Sequence, residues 1–312
     1  MGARVQAARP AEARIMVGQQ TVGEERRQRA FAPLPYLFLA PSAILLLAVI
    51  GYPFVTGVRY SLNDGSLLKP GVFVGLNNYR DLPTMADFRN ALLFSALFAV
   101  CSVAGSYLVG LALALLLDQE MPARGVFRAV LLIPWIIPSI VSIVSWRWII
   151  SDQQGLVNVL LRQFGAHPIL FLSTAHWAMF SVIAIKIWRS FPFMMISLLA
   201  ALQAVDHTLY EAAQMDGAGR WAIFRAITFP HIRTISIVTW ILMAIWCFND
   251  FETIWLLTGG GPSNATENLL VLAYKYTFVR NKVGVGSSIA VFSLVILMAL
   301  AVSLLRRQRE VE

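Results

Sequence analysis

The chain has 312 residues, of which 58% are hydrophobic and 13% are charged, and its mean hydropathy is +0.67. These values exclude an ordinary soluble domain and predict a protein embedded in a membrane. The formal net charge of +8 does not indicate a nucleic-acid partner, because the basic residues border apolar runs. Cys101 and Cys247 lie inside apolar runs, so we interpret them as small core residues and not as a disulfide.

Residues 1–32 are rich in Arg, Ala and Gln and have no apolar core of their own. We expect a disordered cytoplasmic tail there, followed by one membrane domain over residues 33–312. The first apolar run of that domain is too long for a cleavable signal peptide, so it is predicted to stay in the membrane.

Six segments reach the length of about 20 apolar residues that a helix needs to cross the hydrocarbon layer. Because unpaired backbone groups are costly in lipid, the sequence predicts an all-α fold of continuous membrane helices. The predicted spans are Pro35–Val58, Ala91–Leu117, Val126–Ile150, Trp177–Leu202, Thr234–Leu257 and Gly284–Leu305.

The Lys and Arg residues that flank these spans predict the orientation of the chain. One side collects 14 of them and the other side 8, while Arg147, Lys186 and Arg189 fall within spans. Because cytoplasmic loops carry the excess of basic residues, both termini and the loop 203–233 are predicted to be cytoplasmic.

The cytoplasmic loop 203–233 contains the polar run EAAQMDGAGRWAIFRAITFP. The Thr208-Leu-Tyr-Glu211 sequence matches a capping box, which predicts a short helix from Leu209 to about Met215. Gly217 is suited to the left-handed conformation that closes a helix. Two alanines leave one side of this helix without bulky side chains, so the helix is suited either to dock in a groove of another protein or to lie at the lipid interface. The residues alone do not decide between the two.

A second short helix is predicted from Arg220 to about Ile227. Pro230 follows it and is expected to end that helix and to turn the chain into the fifth span.

The same run resembles the EAA motif of ABC importer permeases. In that family the motif forms a coupling helix that docks in a cleft of an ATPase subunit, and Phe229 here stands where Leu is usual. The positions that the resemblance assigns to ATPase coupling are Glu211, Ala212, Ala213, Asp216, Gly217, Ile227 and Pro230.

Two further stretches resemble carbohydrate permeases of the maltose transporter type. They are FNDFETIWLLTGGGPSNATENL, from Phe248 to Leu269, and VGLNNY, from Val74 to Tyr79. The resemblance covers the chain from about residue 33 onward, and it implies the six-span permease fold of type I ABC importers. It also implies a location in the bacterial inner membrane.

The sequence contains no ATP-binding P-loop, because none of its four lysines follows a glycine. It also lacks a catalytic or metal-binding motif, so we expect a transport subunit without a cofactor and not an enzyme. The resemblance implies that ATP and Mg are held by two partner ATPase subunits. It further implies a second permease chain in a heterodimer, an external substrate-binding protein and a saccharide substrate.

Ionisable residues inside spans predict a substrate site, because they are costly in lipid and usually face a cavity. On the fourth span, Lys186, Arg189, Ser190 and Phe193 share one helical face; on the fifth, so do Met243, Trp246, Cys247 and Asp250. Lys186 and Asp250 are expected at similar depth, where they either line the site or form a structural ion pair. The resemblance adds two positions on the third span, Trp135 and Ser139.

The two cations Lys186 and Arg189 motivate the hypothesis that the saccharide is anionic, for example a uronate oligosaccharide. A phosphorylated polyol is the alternative substrate. The alternative class is an integral membrane transferase with Asp250 and Glu252 as catalytic carboxylates, although that class gives no reason for the motif from Glu211 to Pro230. An ion channel would need a ring of like groups, which the mixed charges do not provide.

Overall fold

A computed structural model describes residues 33–69 and 71–309. The predicted tail of residues 1–32 lies outside the described residues. The chain divides after Thr56 into two units, of which the second contains every feature discussed below as a site.

The first unit holds most of the first predicted span. It comprises helix α1, Pro33–Leu46, a π-helical turn, Leu47–Gly51, and the start of helix α2, Tyr52–Ser61. The segment Tyr36–Ser61 is long and apolar enough to cross a membrane.

The second unit is helical except for a two-stranded antiparallel sheet in the loop after the first span. Strands β1 and β2 pair Asn63 with Phe73 and Asp64 with Val72. The elements are β1 (Asn63–Asp64), β2 (Val72–Phe73), α3 (Asn77–Asp81), α4 (Ala86–Asp118), α5 (Arg124–Ile136), α6 (Ser139–Ile149), α7 (Leu156–Gln163), α8 (Ala175–Gln203), α9 (His207–Met215), α10 (Arg220–Ile223), α11 (Phe229–Phe248), α12 (Glu252–Leu257), α13 (Leu269–Tyr274) and α14 (Val283–Arg309).

Five helices in the described chain have the length and apolar composition of a membrane span, and a bent pair supplies a sixth. The prediction of six spans in an all-α fold is therefore confirmed. The helices that correspond to the second, fourth and sixth predicted spans are Ala86–Asp118, Ala175–Gln203 and Val283–Ser303.

The third span is not a continuous helix, so that part of the prediction is wrong. Helices α5 and α6 meet at a bend of 90°. Ile137 is extended, with ψ at 132°, because the ring of Pro138 clashes with a helical residue before it. Pro138 is extended as well, and α6 begins at Ser139.

The fifth span was predicted at about Thr234–Leu257, and its C-terminal limit is wrong. The observed helix runs from Arg220 to Phe248 and is 29 residues long. The chain then leaves the helix at Asn249 and Asp250, where the Asp250 carboxylate accepts the amide of Thr253 and starts the separate helix α12. Asp250 therefore lies just beyond the span and not within it.

The loop 203–233 also differs from the prediction at its helix ends. Helix α9 is capped by Asp206, whose Oδ1 accepts the Thr208 amide at 3.0 Å, and not by Thr208. Pro230 does not end a helix, because a π-helical turn, Phe224–Thr228, carries the chain from α10 straight into α11. The wider turn accommodates a proline that has no amide to donate.

The core is built around the contact between α4 and α8. Gly110 lies where an added Cβ would come within 2.7 Å of the Met194 Cβ and 2.9 Å of the Met195 amide nitrogen. Only glycine permits that approach, and small residues are what allow membrane helices to pack closely. This contact fixes α8, the helix that carries most of the candidate site.

Candidate functional site: a cationic aromatic cavity and a predicted coupling segment

A cavity of about 290 Å³ opens between α5, α8 and α11. Its wall combines aromatic rings with basic and hydroxyl side chains. All six lining residues belong to the predicted substrate site, and they are Trp135, Lys186, Arg189, Ser190, Phe193 and Trp246. The structure therefore gathers residues from three separate predicted spans at one place.

Three aromatic rings form a row along this cavity. The ring centroids of Trp135 and Phe193 are 6.2 Å apart, and those of Phe193 and Trp246 are 4.8 Å apart. Trp135 is 52% exposed and Trp246 is 41% exposed, so their faces are accessible from outside the chain. Rings that expose an apolar face suit the apolar face of a sugar, while neighbouring polar groups suit its hydroxyls.

Of the two basic residues at the cavity, one forms an ion pair and the other does not. Lys186 Nζ lies 2.7 Å from Asp250 Oδ2, and both side chains are nearly buried. Arg189 has no carboxylate within ion-pair distance among the described residues. Because Lys186 and Asp250 compensate each other, the cavity keeps one net positive charge, which belongs to Arg189.

Arg189 is held instead by a neutral group. Its Nη1 donates to Thr253 Oγ1 at 3.2 Å, and its buried Nε has no acceptor among the described residues. A guanidinium with spare donors at a cavity wall is chemically suited to a carboxylate, sulfonate or phosphate.

Four predicted substrate residues do not line this cavity. Met243 and Cys247 have no exposed surface and lie in the hydrophobic core, because that side of α11 packs inward. Ser139 lies beyond the bend at the first residue of α6, and Asp250 turns its carboxylate to Lys186. Each was predicted from a shared helical face or from the resemblance, neither of which specifies which side of the helix faces the cavity.

Thr253 is a residue that the sequence analysis missed. It is completely buried and bonds to both Asp250 and Arg189. The spacing from Asp250 to Thr253 is that of a side-chain cap on a helix start, and this signal would have found it.

The second candidate region is the predicted coupling segment, residues 211–217. Glu211, Ala212, Asp216 and Gly217 are exposed and Ala213 is half-buried, so the motif is presented on the surface of α9 and of the turn after it. Ile227 lies in the π-helical turn Phe224–Thr228, and Pro230 is the second residue of α11.

Gly217 adopts the left-handed conformation that the sequence predicts, with φ at 75°. The amide of Ala218 donates to the Ala213 carbonyl at 3.0 Å and completes the helix end. At the other end, the hydrogen bond from the Thr208 amide holds the pKa of the Asp206 carboxyl below its usual value. The segment is thus a short helix with both ends fixed.

Tyr210 connects this helix to the membrane part of the chain. Its hydroxyl lies 3.3 Å from Thr228 Oγ1, in the π-helical turn that leads into α11. This contact joins α9 to the π-helical turn that precedes α11, the helix that carries Trp246.

The fold is that of a solved bacterial alginate ABC transporter chain in complex with its pentasaccharide-bound periplasmic protein. The TM-score is 0.78 at 22% identity, over 89% of this chain and 94% of that one. This likeness shows that the chain has the fold of that transporter chain.

Residues 106–309 match the family of binding-protein-dependent transport system inner membrane components, and the chain belongs to that family. It is 34% identical to the trehalose/maltose transport system permease protein MalF of Thermococcus litoralis, over 88% of this chain and 93% of that protein. It is 33% identical to the diacetylchitobiose uptake system permease protein DasB of Streptomyces coelicolor, over 95% and 94%. The sulfoquinovosyl glycerol permease SmoG of Agrobacterium fabrum is 32% identical, over 88% and 89%.

The predicted membership in the carbohydrate ABC importer permeases is confirmed by these matches. The chain is a sugar-transport permease subunit.

Proposed function

We propose that this permease imports an acidic saccharide, such as a uronate oligosaccharide, in a complex driven by ATP hydrolysis on partner subunits. The observation that carries the choice of an acidic substrate is Arg189, the one cation at the aromatic cavity without a carboxylate within ion-pair distance among the described residues. The names of the relatives span disaccharides and a sulfoquinovosyl glycerol, so they leave the charge of the substrate open.

The cavity has the chemistry that such a substrate requires. The row of Trp135, Phe193 and Trp246 offers apolar faces to the sugar rings, and Ser190 offers a hydroxyl. Arg189 supplies a charge-assisted hydrogen bond to the acidic group, which is worth about 1.5–3 kcal/mol. A phosphorylated polyol would use the same guanidinium but only a small part of the aromatic row.

The proposed complex contains further subunits besides this chain. A second permease chain of a heterodimer would cover the open side of the cavity, and an external binding protein would deliver the saccharide. Two ATPase subunits would bind ATP and Mg and would dock on the segment from Glu211 to Gly217. Both termini and this segment would be cytoplasmic, in agreement with the distribution of basic residues.

Substrate passage would follow an alternating-access cycle. Closure of the ATPase pair would displace α9, and the contact of Tyr210 with Thr228 would pass the displacement to α11. A rigid-body change of this kind would open the cavity alternately to the two sides of the membrane.

The test is ATP-dependent uptake by the reconstituted complex in proteoliposomes. The substrates are a radiolabelled uronate trisaccharide, its carboxyl-reduced neutral form and glycerol 3-phosphate. The complex is compared with an Arg189→Gln variant that contains the same binding protein, so a change in selectivity reports the permease. We expect preference for the acidic trisaccharide, and a fall in that preference of about 10- to 100-fold in the variant.

Equal uptake of the two trisaccharides by the native complex, or the same preference in the Arg189→Gln variant, would refute the acidic substrate. Preferred uptake of glycerol 3-phosphate would assign the phosphorylated polyol instead.

A further inference from the structure

The hydroxyl of Thr253 lies between two opposite charges at the cavity. It donates to Asp250 Oδ2 at 2.8 Å and accepts from Arg189 Nη1 at 3.2 Å. A hydroxyl has a single proton, so donation to the carboxylate leaves its lone pairs for the guanidinium. The direction of both hydrogen bonds is therefore fixed by the chemistry of the two partners.

The position of Thr253 itself is also fixed. Its backbone amide donates to Asp250 Oδ1 at 2.9 Å, in the first turn of α12, and its side chain is fully buried. Helix α12 packs on both α6 and α8. The hydroxyl is thus held on a rigid element and has no freedom to leave Arg189 or Asp250.

The Asp250 carboxylate is anchored from several sides. Oδ2 accepts from Lys186 as well as from Thr253, and the backbone carbonyl of Asp250 accepts from the side-chain Nδ2 of Asn268 at 2.8 Å. Arg189 remains beyond ion-pair distance of this carboxylate, with the Thr253 hydroxyl in between.

We propose that Thr253 is a positioning residue that keeps Arg189 available to an acidic substrate; this inference rests on the proposed function. Unlike charges attract strongly where water is scarce, so Arg189 and Asp250 would pair if nothing separated them. The threonine hydroxyl satisfies both groups and holds them apart. Lys186 then neutralises Asp250, and the guanidinium of Arg189 stays on the cavity wall.

Loss of the hydroxyl removes the two hydrogen bonds that satisfy Arg189 and Asp250 while the size of the side chain is kept. In a Thr253→Val variant, Arg189 would turn to Asp250 and its charge would be cancelled by the carboxylate. An acidic saccharide would then meet a cavity without a free cation.

The experiment measures uptake of the uronate trisaccharide and of its carboxyl-reduced form by complexes with Thr253→Val and Thr253→Ser. We expect Thr253→Val to lose about tenfold in acidic preference, with the larger change in KM for the acidic trisaccharide. Thr253→Ser keeps the hydroxyl and should retain the preference. Thr239→Val is the matched control, because Thr239 is a buried threonine of α11 that bonds only to the Ser236 carbonyl among the described residues.

An unchanged preference in Thr253→Val would overturn the inference, as would a Thr253→Ser variant that behaves like Thr253→Val. If Thr253→Val does not accumulate in the membrane, Thr253→Ala is measured instead, with the same two outcomes. The Arg189→Gln variant separates the two proposals. A loss of preference in Arg189→Gln but not in Thr253→Val refutes only the positioning role, and no loss in Arg189→Gln refutes the acidic substrate.

Discussion

The pair of Lys186 and Asp250 shows how a buried charge can be structural and still shape a substrate site. Two ions taken out of water lose hydration that their mutual attraction repays only when the geometry is good. Here the 2.7 Å contact and the two bonds from Thr253 to Asp250 provide that geometry. The pair therefore locks α8 to the start of α12 and leaves recognition to Arg189.

This assignment predicts the stability of variants at the ion pair. Lys186→Met leaves the Asp250 carboxylate buried without its cation, so the protein should lose about 3–5 kcal/mol of stability. Adding Asp250→Asn removes the orphaned charge but keeps an acceptor for the Thr253 amide, so most of the loss should be recovered. Thermal unfolding of the purified chain in detergent measures both effects.

Lys282→Met serves as the control for the ion pair, because Lys282 is exposed and forms no ion pair among the described residues. Its unfolding temperature should match that of the native chain. A Lys186→Met variant as stable as this control, or a double variant no better than Lys186→Met, would show that the pair is not structural.

Part of this site was predictable from the sequence and part was not. The helical period placed Lys186, Arg189 and Phe193 on one face because α8 is a regular helix, and the structure finds them at one cavity. The same period could not show that Met243 and Cys247 face the core, because that depends on neighbouring helices. The aromatic row and the role of Thr253 depend on contacts between elements distant in sequence.

At the scale of elements, the chain departs from straight spans at prolines and at polar residues. Hydropathy measures composition, so it predicted a third span without a bend and a fifth span that continued through Asp250. Two local rules predict these breaks. The residue before a proline, here Pro138, is extended, and an aspartate such as Asp250 can cap the start of a new helix. The first break follows Trp135 by two residues, and the second contains Asp250, which pairs with Lys186, so each break lies next to a residue that lines the cavity or holds one that does.

The prediction at the scale of elements concerns Gly217, which closes the helix of the coupling segment. Gly217 has a φ of 75° and no atom within 4 Å of an added Cβ, so Gly217→Val strains the backbone locally without a steric clash elsewhere. A strain of about 1–2 kcal/mol should lower the population of the docking geometry by about 5- to 30-fold. We expect ATP-dependent uptake to fall by a similar factor in proteoliposomes, with normal insertion of the chain.

Gly219→Val is the matched control for this prediction. Gly219 also has open space around an added Cβ, but its φ of −72° suits any residue. Full uptake in Gly217→Val, or an equal loss in Gly219→Val, would argue against a role for the helix end in coupling.

At the scale of the whole molecule, the two candidate regions lie on different helices. The exposed rings of Trp135 and Trp246 belong to α5 and α11, and the exposed coupling segment belongs to α9 and the turn after it. In the proposed function, one chain supplies one wall of a cavity and one short helix for an ATPase partner. This arrangement agrees with the membership of the chain in the family of binding-protein-dependent transport system inner membrane components. The proposed function requires that the coupling segment is cytoplasmic and that it meets an ATPase.

The most direct test of that claim is the accessibility of position 215 to a membrane-impermeant maleimide. Met215 is 88% exposed at the end of α9, and Met215→Cys is introduced after Cys101→Ala and Cys247→Ala. Leu68→Cys, 87% exposed in the loop after the first span, reports the opposite side. We predict that position 215 reacts in inside-out vesicles only and is protected when the ATPase subunits bind. Reaction from the outside, or no protection by the ATPase subunits, would contradict the account.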